Sequence, residues 1–120
     1  MGEGREGASA PRAALRWHRV ATLADLCDGE PFPVTIDDVA IALYRIAGAV
    51  HAVSDICSHE YVRLSGGVLE GAVIVCPLHS ARFDVATGRC LARPAERDLA
   101  TYVVRLDGNE ILIDCDSPER

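Results

Sequence analysis

Polar and apolar residues alternate along most of the chain beyond its first fifteen positions, and the apolar positions are rich in Val and Ile. This period of two is typical of half-buried β-strands, because successive side chains in a strand point to opposite faces of the sheet. We predict strands over Val34–Ile36, Ala40–Ile46, Ala49–Ser54, Thr101–Leu106 and Glu110–Cys115. Both faces of the second strand are largely apolar, which favours a place in the middle of a sheet.

Turn-forming residues separate these strands. Asp37-Asp38 and Ala47-Gly48 follow the first two strands, and Asp107-Gly108-Asn109 joins the last two, as in β-hairpins. The one helical candidate is Thr22–Leu26, in which Thr22 can cap the first turn. The prediction is an all-β domain of short strands and hairpins.

The alternation breaks between Asp55 and Pro94, where only residues 68–75 (VLEGAVIV) indicate another hairpin. Three of the five cysteines and two of the four histidines lie in this stretch. A loop-rich segment of this length inside a compact domain needs more than apolar burial to hold it. We therefore expect a bound metal here.

Charge and cysteine content exclude some classes of protein and favour others. The 120 residues carry 12 basic and 18 acidic side chains, a formal net charge of −6. This charge argues against a nucleic-acid-binding protein, which needs a concentrated basic face. The odd number of cysteines favours metal ligands or reduced thiols in a cytoplasmic protein. The sequence shows neither a signal peptide nor an apolar run of the roughly 20 residues that cross a bilayer, so we expect a soluble protein.

Two short motifs in the loop-rich stretch carry the candidate chemistry. Cys57-Ser58-His59 is C-x-H and Cys76-Pro77-Leu78-His79 is C-x-x-H, and sixteen residues lie between His59 and Cys76. Each motif can place one thiolate and one imidazole on a single loop, and the hairpin between them would bring the two loops side by side. Four such ligands suit either tetrahedral zinc or an iron–sulfur cluster.

The two motifs and their spacing resemble the signature of the Rieske [2Fe–2S] family. The resemblance includes Pro77 after the second cysteine. It extends to ARFDVATGRCLARPA, which is similar to the segment that closes the cluster-binding subdomain in ferredoxins of this family. It runs from Trp17 to Asp114, which is nearly the whole chain without its tails.

The resemblance implies an all-β Rieske fold, in which an antiparallel β-sandwich or barrel-like base supports a loop-rich cluster-binding subdomain. A single domain would span residues 16–115, with the cluster-binding subdomain at about residues 55–94. Residues 1–15 would form a disordered N-terminal tail and residues 116–120 a C-terminal tail.

The resemblance also implies the ligand set of one [2Fe–2S] cluster. Cys57 and Cys76 would bind the inner iron as thiolates, and His59 and His79 would bind the outer iron, which is the one reduced. No residue would be catalytic.

Four neighbouring positions define the subtype within the family. Rieske proteins of cytochrome bc complexes carry a disulfide between the two ligand loops, and the matching positions here are Val62 and Leu78. High-potential members place hydroxyls where this chain has Ala81 and Phe83. Hydrogen bonds to the cluster sulfurs stabilise the reduced state, so their loss predicts a potential near the low end of the Rieske range.

A low-potential, single-domain Rieske protein is similar to the ferredoxins of bacterial aromatic-ring-hydroxylating dioxygenase systems. The resemblance implies an electron carrier, not an enzyme, that passes electrons from a flavin-dependent ferredoxin reductase to a Rieske/non-haem-iron terminal oxygenase. We expect a cytoplasmic monomer that binds neither nucleic acid nor membrane. Two alternatives are a Rieske-type small subunit acting as a fixed relay in a nitrite-reductase-like enzyme, and a structural zinc-binding module.

The residues around the two motifs and the three cysteines outside them also carry predictions. Apolar residues are expected to shield the cluster, some of them as a contact patch: Tyr61, Val62, Leu64, Pro77 and Leu78. Acidic residues could steer a basic partner: Glu60, Glu70 and Asp84. Cys27, Cys90 and Cys115 are expected to pack as small apolar side chains.

Overall fold

The computed structural model describes residues 17–58, 61–78, 80–92 and 97–119, with side chains described up to residue 114. Ten strands follow in chain order within these residues: β1 Trp17–Thr22, β2 Phe32–Ile36, β3 Val39–Ile46, β4 Ala49–Ser54, β5 Val68–Glu70, β6 Val73–Val75, β7 Arg82–Asp84, β8 Cys90–Ala92, β9 Thr101–Asp107 and β10 Glu110–Glu119. Two 3₁₀ turns lie at Leu23–Asp25 and Leu64–Gly66. No helix in the described part of the chain is long and apolar enough to cross a membrane.

Six strands form the larger sheet, in the order β1-β10-β9-β4-β3-β2, with every pair antiparallel. The two edge strands, β1 and β2, line the two sides of one groove, so the sheet curls into a nearly closed barrel. The other four strands form a small antiparallel sheet in the order β5-β6-β7-β8. This small sheet carries the segment between β6 and β7, which contains the second Cys–His motif.

Strand β3 supplies side chains to two hydrophobic cores, one from each face. Ile41 and Leu43 lie in the core inside the barrel, which the larger sheet builds. Ala42 and Tyr44 point the other way, into a second core shared with the small sheet. All four residues are fully buried. The apolar character of both faces, visible in the sequence, therefore marks a strand packed on both sides, as expected.

The hairpin turns follow from residues that accept positive φ. Asp37 and Asp38 both have positive φ, and so do Ala47 and Gly48, which is the geometry of a type I′ turn. In the β9–β10 hairpin only Gly108 has positive φ among the two turn residues. The mirror-image turns match the right-handed twist of the strands, and this fixes the register of β2, β3 and β4.

The expected all-β class with a barrel-like base is confirmed. The helical candidate Thr22–Leu26 is only a 3₁₀ turn, in which the backbone N–H of Thr22 donates to Asp25 Oδ2 at 2.9 Å. Strands β1, β7 and β8 were not predicted from the sequence pattern. Strands β7 and β8 have three residues each, too few to show a period of two.

Candidate metal centre

The first Cys–His motif begins a closed loop, here called the first loop (residues 57–62). The backbone N–H of Cys57 donates to the carbonyl oxygen of Val62 at 2.9 Å. Just outside this bond, Ile56 and Arg63 form an antiparallel bridge. The first loop is therefore a protrusion with a paired base, and Cys57 lies at that base.

The second motif begins a loop with the same closure, here called the second loop (residues 76–81). The N–H of Cys76 donates to the carbonyl oxygen of Ala81 at 2.7 Å, and the N–H of Ser80 donates back to the carbonyl of Cys76 at 3.1 Å. In each loop the cysteine bonds the residue five positions later. Ser80 has φ of 62°, a left-handed conformation that is unfavourable for a residue with a Cβ.

Both cysteines are buried, with exposed fractions of 4% for Cys57 and 2% for Cys76. They belong to one hydrophobic core, together with Ala81 and Phe83. The bases of the two loops therefore meet in the same water-poor region. Thiolate ligands for a soft metal centre fit this region, since the protein around them excludes competing water.

His59 and His79, the other two predicted ligands, lie outside the described residues, as does Glu60. Of the four predicted ligands, the two thiols are described, and both lie in the same core. Their burial at the bases of two like loops, each carrying an imidazole in its sequence, fits a cluster held by two thiolates and two imidazoles.

Asp55 anchors the first loop, a role that sequence analysis missed. Its backbone N–H donates to the carbonyl of Ala40 in β3 at 2.9 Å, and its carbonyl accepts from the N–H of Leu64 at 2.7 Å. Its fully buried carboxylate accepts hydrogen bonds from Ser65 N–H at 2.6 Å and Ser65 Oγ at 2.7 Å. Arg63 Nη1 lies 3.4 Å from the same carboxylate. No sequence signal reveals this network, because it depends on a contact across ten residues.

Tyr44 lies in the same core as the two cysteines, and its side chain is fully buried. Among the residues that the structure describes, its hydroxyl finds no hydrogen-bond partner. Burial raises the pKa of Tyr44 well above its ordinary value, and the negative charge of Asp55 adds to the rise. Tyr44 therefore stays neutral over the whole physiological pH range.

The loop tips differ in exposure from one residue to the next. Tyr61 is 92% exposed and Leu78 is 50% exposed, so both suit the expected contact patch. Leu64 cannot belong to that patch, because it is fully buried in the core that contains Cys57 and Cys76. Its apolar side chain packs inwards since the 3₁₀ turn it begins folds back against Asp55.

Two of the expected steering carboxylates have other roles here. Glu70 Oε1 pairs with Arg82 Nη1 at 2.8 Å. Asp84 Oδ1 accepts from the N–H of Ala86 at 2.9 Å and so caps the turn after β7. Glu70 is therefore one half of an ion pair, whereas Asp84 is hydrogen-bonded only to a neutral N–H and keeps its full charge.

The cysteines outside the two motifs differ in burial. Cys90 is partly buried and packs against the core that holds the predicted ligands, as expected. The expectation for Cys27 is wrong, because its side chain is exposed in the segment between β1 and β2. The side chain of Cys115 lies outside the described part of the structure.

Comparisons with known proteins agree with this geometry. The family model for the Rieske [2Fe-2S] domain matches residues 16–103. The chain is 37% identical over 100 residues to the ferredoxin component of the naphthalene 1,2-dioxygenase system of Pseudomonas putida, covering 83% of this chain and 96% of that protein. A solved ferredoxin of carbazole 1,9a-dioxygenase from Nocardioides aromaticivorans IC177 has a TM-score of 0.78 and 39% identity, covering 81% of this chain and 95% of that one.

A further solved structure is a complex of reduced oxygenase and oxidized ferredoxin in carbazole 1,9a-dioxygenase. One of its chains has a TM-score of 0.77 and 30% identity to this protein, covering 82% of this chain and 92% of that one. The match to the family model spans both Cys–His motifs and the strands that carry them. This chain belongs to the Rieske [2Fe–2S] domain family.

Proposed function

We propose that this protein is a one-electron carrier of an aromatic-ring-hydroxylating dioxygenase system. It accepts electrons from a flavin-dependent ferredoxin reductase and delivers them to a Rieske/non-haem-iron terminal oxygenase, and it performs no substrate chemistry. The observation that carries this proposal is the burial of Cys57 and Cys76 in one core, in a chain that matches dioxygenase ferredoxins over nearly their whole length. The cytoplasm is its proposed location.

The proposed ligands are Cys57, His59, Cys76 and His79. A bound [2Fe–2S] cluster supplies the one-electron redox chemistry. The two cysteines would bind one iron as thiolates, from the buried bases of the two loops. The two histidines would bind the other iron, and neutral imidazole ligands raise its potential above that of an all-cysteine cluster.

We expect the potential to lie near the low end of the Rieske range. Ala81 and Phe83, in the core beside the cysteines, have no hydroxyl to donate to a cluster sulfur. The charge of the buried Asp55 carboxylate acts in the same direction, because reduction adds a negative charge nearby. The partly exposed Arg63 guanidinium offsets part of that charge.

The exposed tips of the two loops are the proposed docking surface for both partners. The exposed side chains of Tyr61 and Leu78 are one or two residues in sequence from the proposed histidine ligands. We propose that contact there would bring the outer iron close to a partner's redox centre. Replacing Tyr61 with Ala should slow electron transfer to the oxygenase and leave the midpoint potential unchanged. A slower transfer accompanied by a shifted potential would instead assign Tyr61 to the cluster environment.

The test of the function is spectroscopy and redox titration of the purified protein. A red-brown protein with two irons and two labile sulfides per chain, and a reducible Rieske-type EPR signal, supports the proposal. A colourless protein with one zinc per chain would contradict it and favour the structural zinc module. Transfer of electrons from a ferredoxin reductase to a separate oxygenase, followed by stopped-flow absorbance, distinguishes a mobile carrier from a fixed relay subunit.

A further inference from the structure

A glycine pair, Gly66 and Gly67, lies between the two ligand loops at the end of the second 3₁₀ turn. The two glycines have different surroundings. A Cβ placed on Gly66 would meet no heavy atom within 4 Å, whereas a Cβ on Gly67 would overlap the carbonyl oxygen of Val75. The same atom would lie 3.1 Å from Cδ of Pro77. Only Gly67 is therefore in close contact with the strand that leads into the second loop.

The backbone of Gly67 does not itself require glycine. Its φ of −92° and ψ of −161° are extended values that any residue adopts. Glycine is required only because a Cβ at residue 67 would clash with Val75 and Pro77. These two residues directly precede and follow Cys76 in the sequence. The absent side chain allows two backbone segments to approach more closely than side chains permit.

Hydrogen bonds also connect Gly67 to the base of the first loop. The N–H of Gly67 donates to the carbonyl of Leu64 at 2.8 Å, which closes the 3₁₀ turn. The N–H of Leu64 in turn donates to the carbonyl of Asp55 at 2.7 Å, and Ser65 donates twice to the Asp55 carboxylate. Asp55 is two residues before Cys57. A continuous line of short contacts therefore runs from one cysteine to the other.

We propose that Gly67 is a positioning residue that sets the distance between the two ligand loops. The inference rests on the proposed function, since it assigns the loops to one metal centre. A side chain at residue 67 would push Val75 and Pro77 away, and Cys76 would move with them relative to Cys57. A metal centre tolerates little displacement of its ligands, so a change of this kind alters the centre before it alters the barrel.

The experiment compares Gly67→Ala with Gly66→Ala, which adds the same methyl group one residue earlier. We would measure the iron and zinc content per chain, the EPR g values, the midpoint potential and the far-UV circular dichroism of each purified protein. Gly66→Ala should match the parent protein in all four. Gly67→Ala should keep the strand signal of the barrel, lose most of its metal, and show shifted g values and midpoint in the fraction that retains a cluster.

Several results would overturn the inference. One is a Gly67→Ala protein that holds its metal in full with parental g values and midpoint. Another is equal damage by the two substitutions, which would show that any added volume in this turn is harmful. If both variants and the parent hold zinc instead of iron, the proposed function fails, and the relative zinc contents of the two variants still decide the role of Gly67.

A second variant covers the case in which Gly67→Ala does not fold. Ser65→Ala removes one hydrogen bond between the turn and Asp55 without adding any volume near Val75. It should fold, retain its metal, and release it faster to a chelator, with broadened EPR lines. An unfolded Gly67→Ala protein together with a Ser65→Ala protein of parental EPR signal and release rate would contradict the positioning role.

Discussion

The carboxylate of Asp55 accepts two hydrogen bonds from Ser65, one from its backbone N–H at 2.6 Å and one from its hydroxyl at 2.7 Å. The pair is buried at the base of the first loop, where the donors compensate the charge of the carboxylate. A charge held in this way is fixed in place and poorly screened, and it lies two residues from a proposed ligand. It should therefore influence the redox properties of the centre as well as the shape of the loop.

Replacing Asp55 with Asn tests this influence, because the amide keeps the shape of the side chain and removes its charge. The midpoint potential should rise by about tens of millivolts, since the reduced cluster no longer faces a buried negative charge. The matched control is Glu70→Gln, which removes an exposed carboxylate paired with Arg82. Protein-film voltammetry of the two variants measures the difference, and equal shifts would contradict the special position of Asp55.

The two classes of cysteine give a second prediction. Cys76→Ser should abolish the visible absorption and EPR signal of the cluster, because the serine hydroxyl is a poor replacement for a thiolate ligand. Cys27→Ser, at an exposed position far from the loops in sequence, should leave both spectra and the midpoint unchanged. A cluster that survives in Cys76→Ser with the parental spectrum would exclude Cys76 as a ligand.

The left-handed conformation of Ser80 gives a third prediction. Ser80→Gly should stabilise the folded protein by about 0.5–1 kcal/mol. Glycine removes the steric cost of positive φ, and this gain exceeds the cost of the greater entropy that glycine gives the unfolded chain. The thermal midpoint should rise by a few degrees, measured by circular dichroism.

Asp38→Gly is the control for Ser80→Gly, because Asp38 also has positive φ, in the barrel hairpin between β2 and β3. It should give a smaller gain, since Asp tolerates this conformation better than Ser. Only Ser80→Gly should slow the release of iron to a chelator. A loss of stability in Ser80→Gly would show that contacts of the serine side chain outweigh its backbone strain.

The buried hydroxyl of Tyr44 gives a fourth prediction, for alkaline pH. Unfolded tyrosine ionises near pH 10, whereas burial raises the pKa of Tyr44 in the folded protein. Above pH 10 the unfolded state therefore loses a proton that the folded state keeps, and stability falls as the pH rises. Tyr44→Phe has no such proton, so its free energy of unfolding should fall less between pH 9 and about pH 11.

At neutral pH the substitution should be neutral or slightly stabilising, and denaturant titrations at several pH values measure both effects. A parallel fall in both proteins would contradict the prediction.

The sequence predicted the elements whose pattern is local. β3 and β4 have enough residues to show alternation, and Ala47-Gly48 lies between them as a two-residue turn, so their register could be predicted as well. The two Cys–His motifs are local too, and the burial of Cys57 and Cys76 in one core agrees with their proposed role.

Other features depend on contacts between distant parts of the chain. Glu70, an expected steering group, pairs with Arg82 across twelve residues, because strands β5 and β7 flank β6 in the small sheet. The inward position of Leu64 follows from a turn whose hydrogen bonds reach back to Asp55. A pattern read along the chain contains no information on such pairs, since composition and periodicity describe neighbours in sequence only.

The sharing of strand β3 by the two cores has a consequence for how the molecule unfolds. Ile41 and Ala42 are adjacent, yet each belongs to a different core. An excised fragment of residues 55–94 would lack Ala42 and Tyr44 of β3, which belong to the same core as Ile74 and Phe83. The two regions therefore form one cooperative unit, and amide protons of β3 should exchange with solvent only through global unfolding. The geometry of the two ligand loops is therefore stabilised by the whole barrel, which suits a metal site that is oxidised and reduced repeatedly.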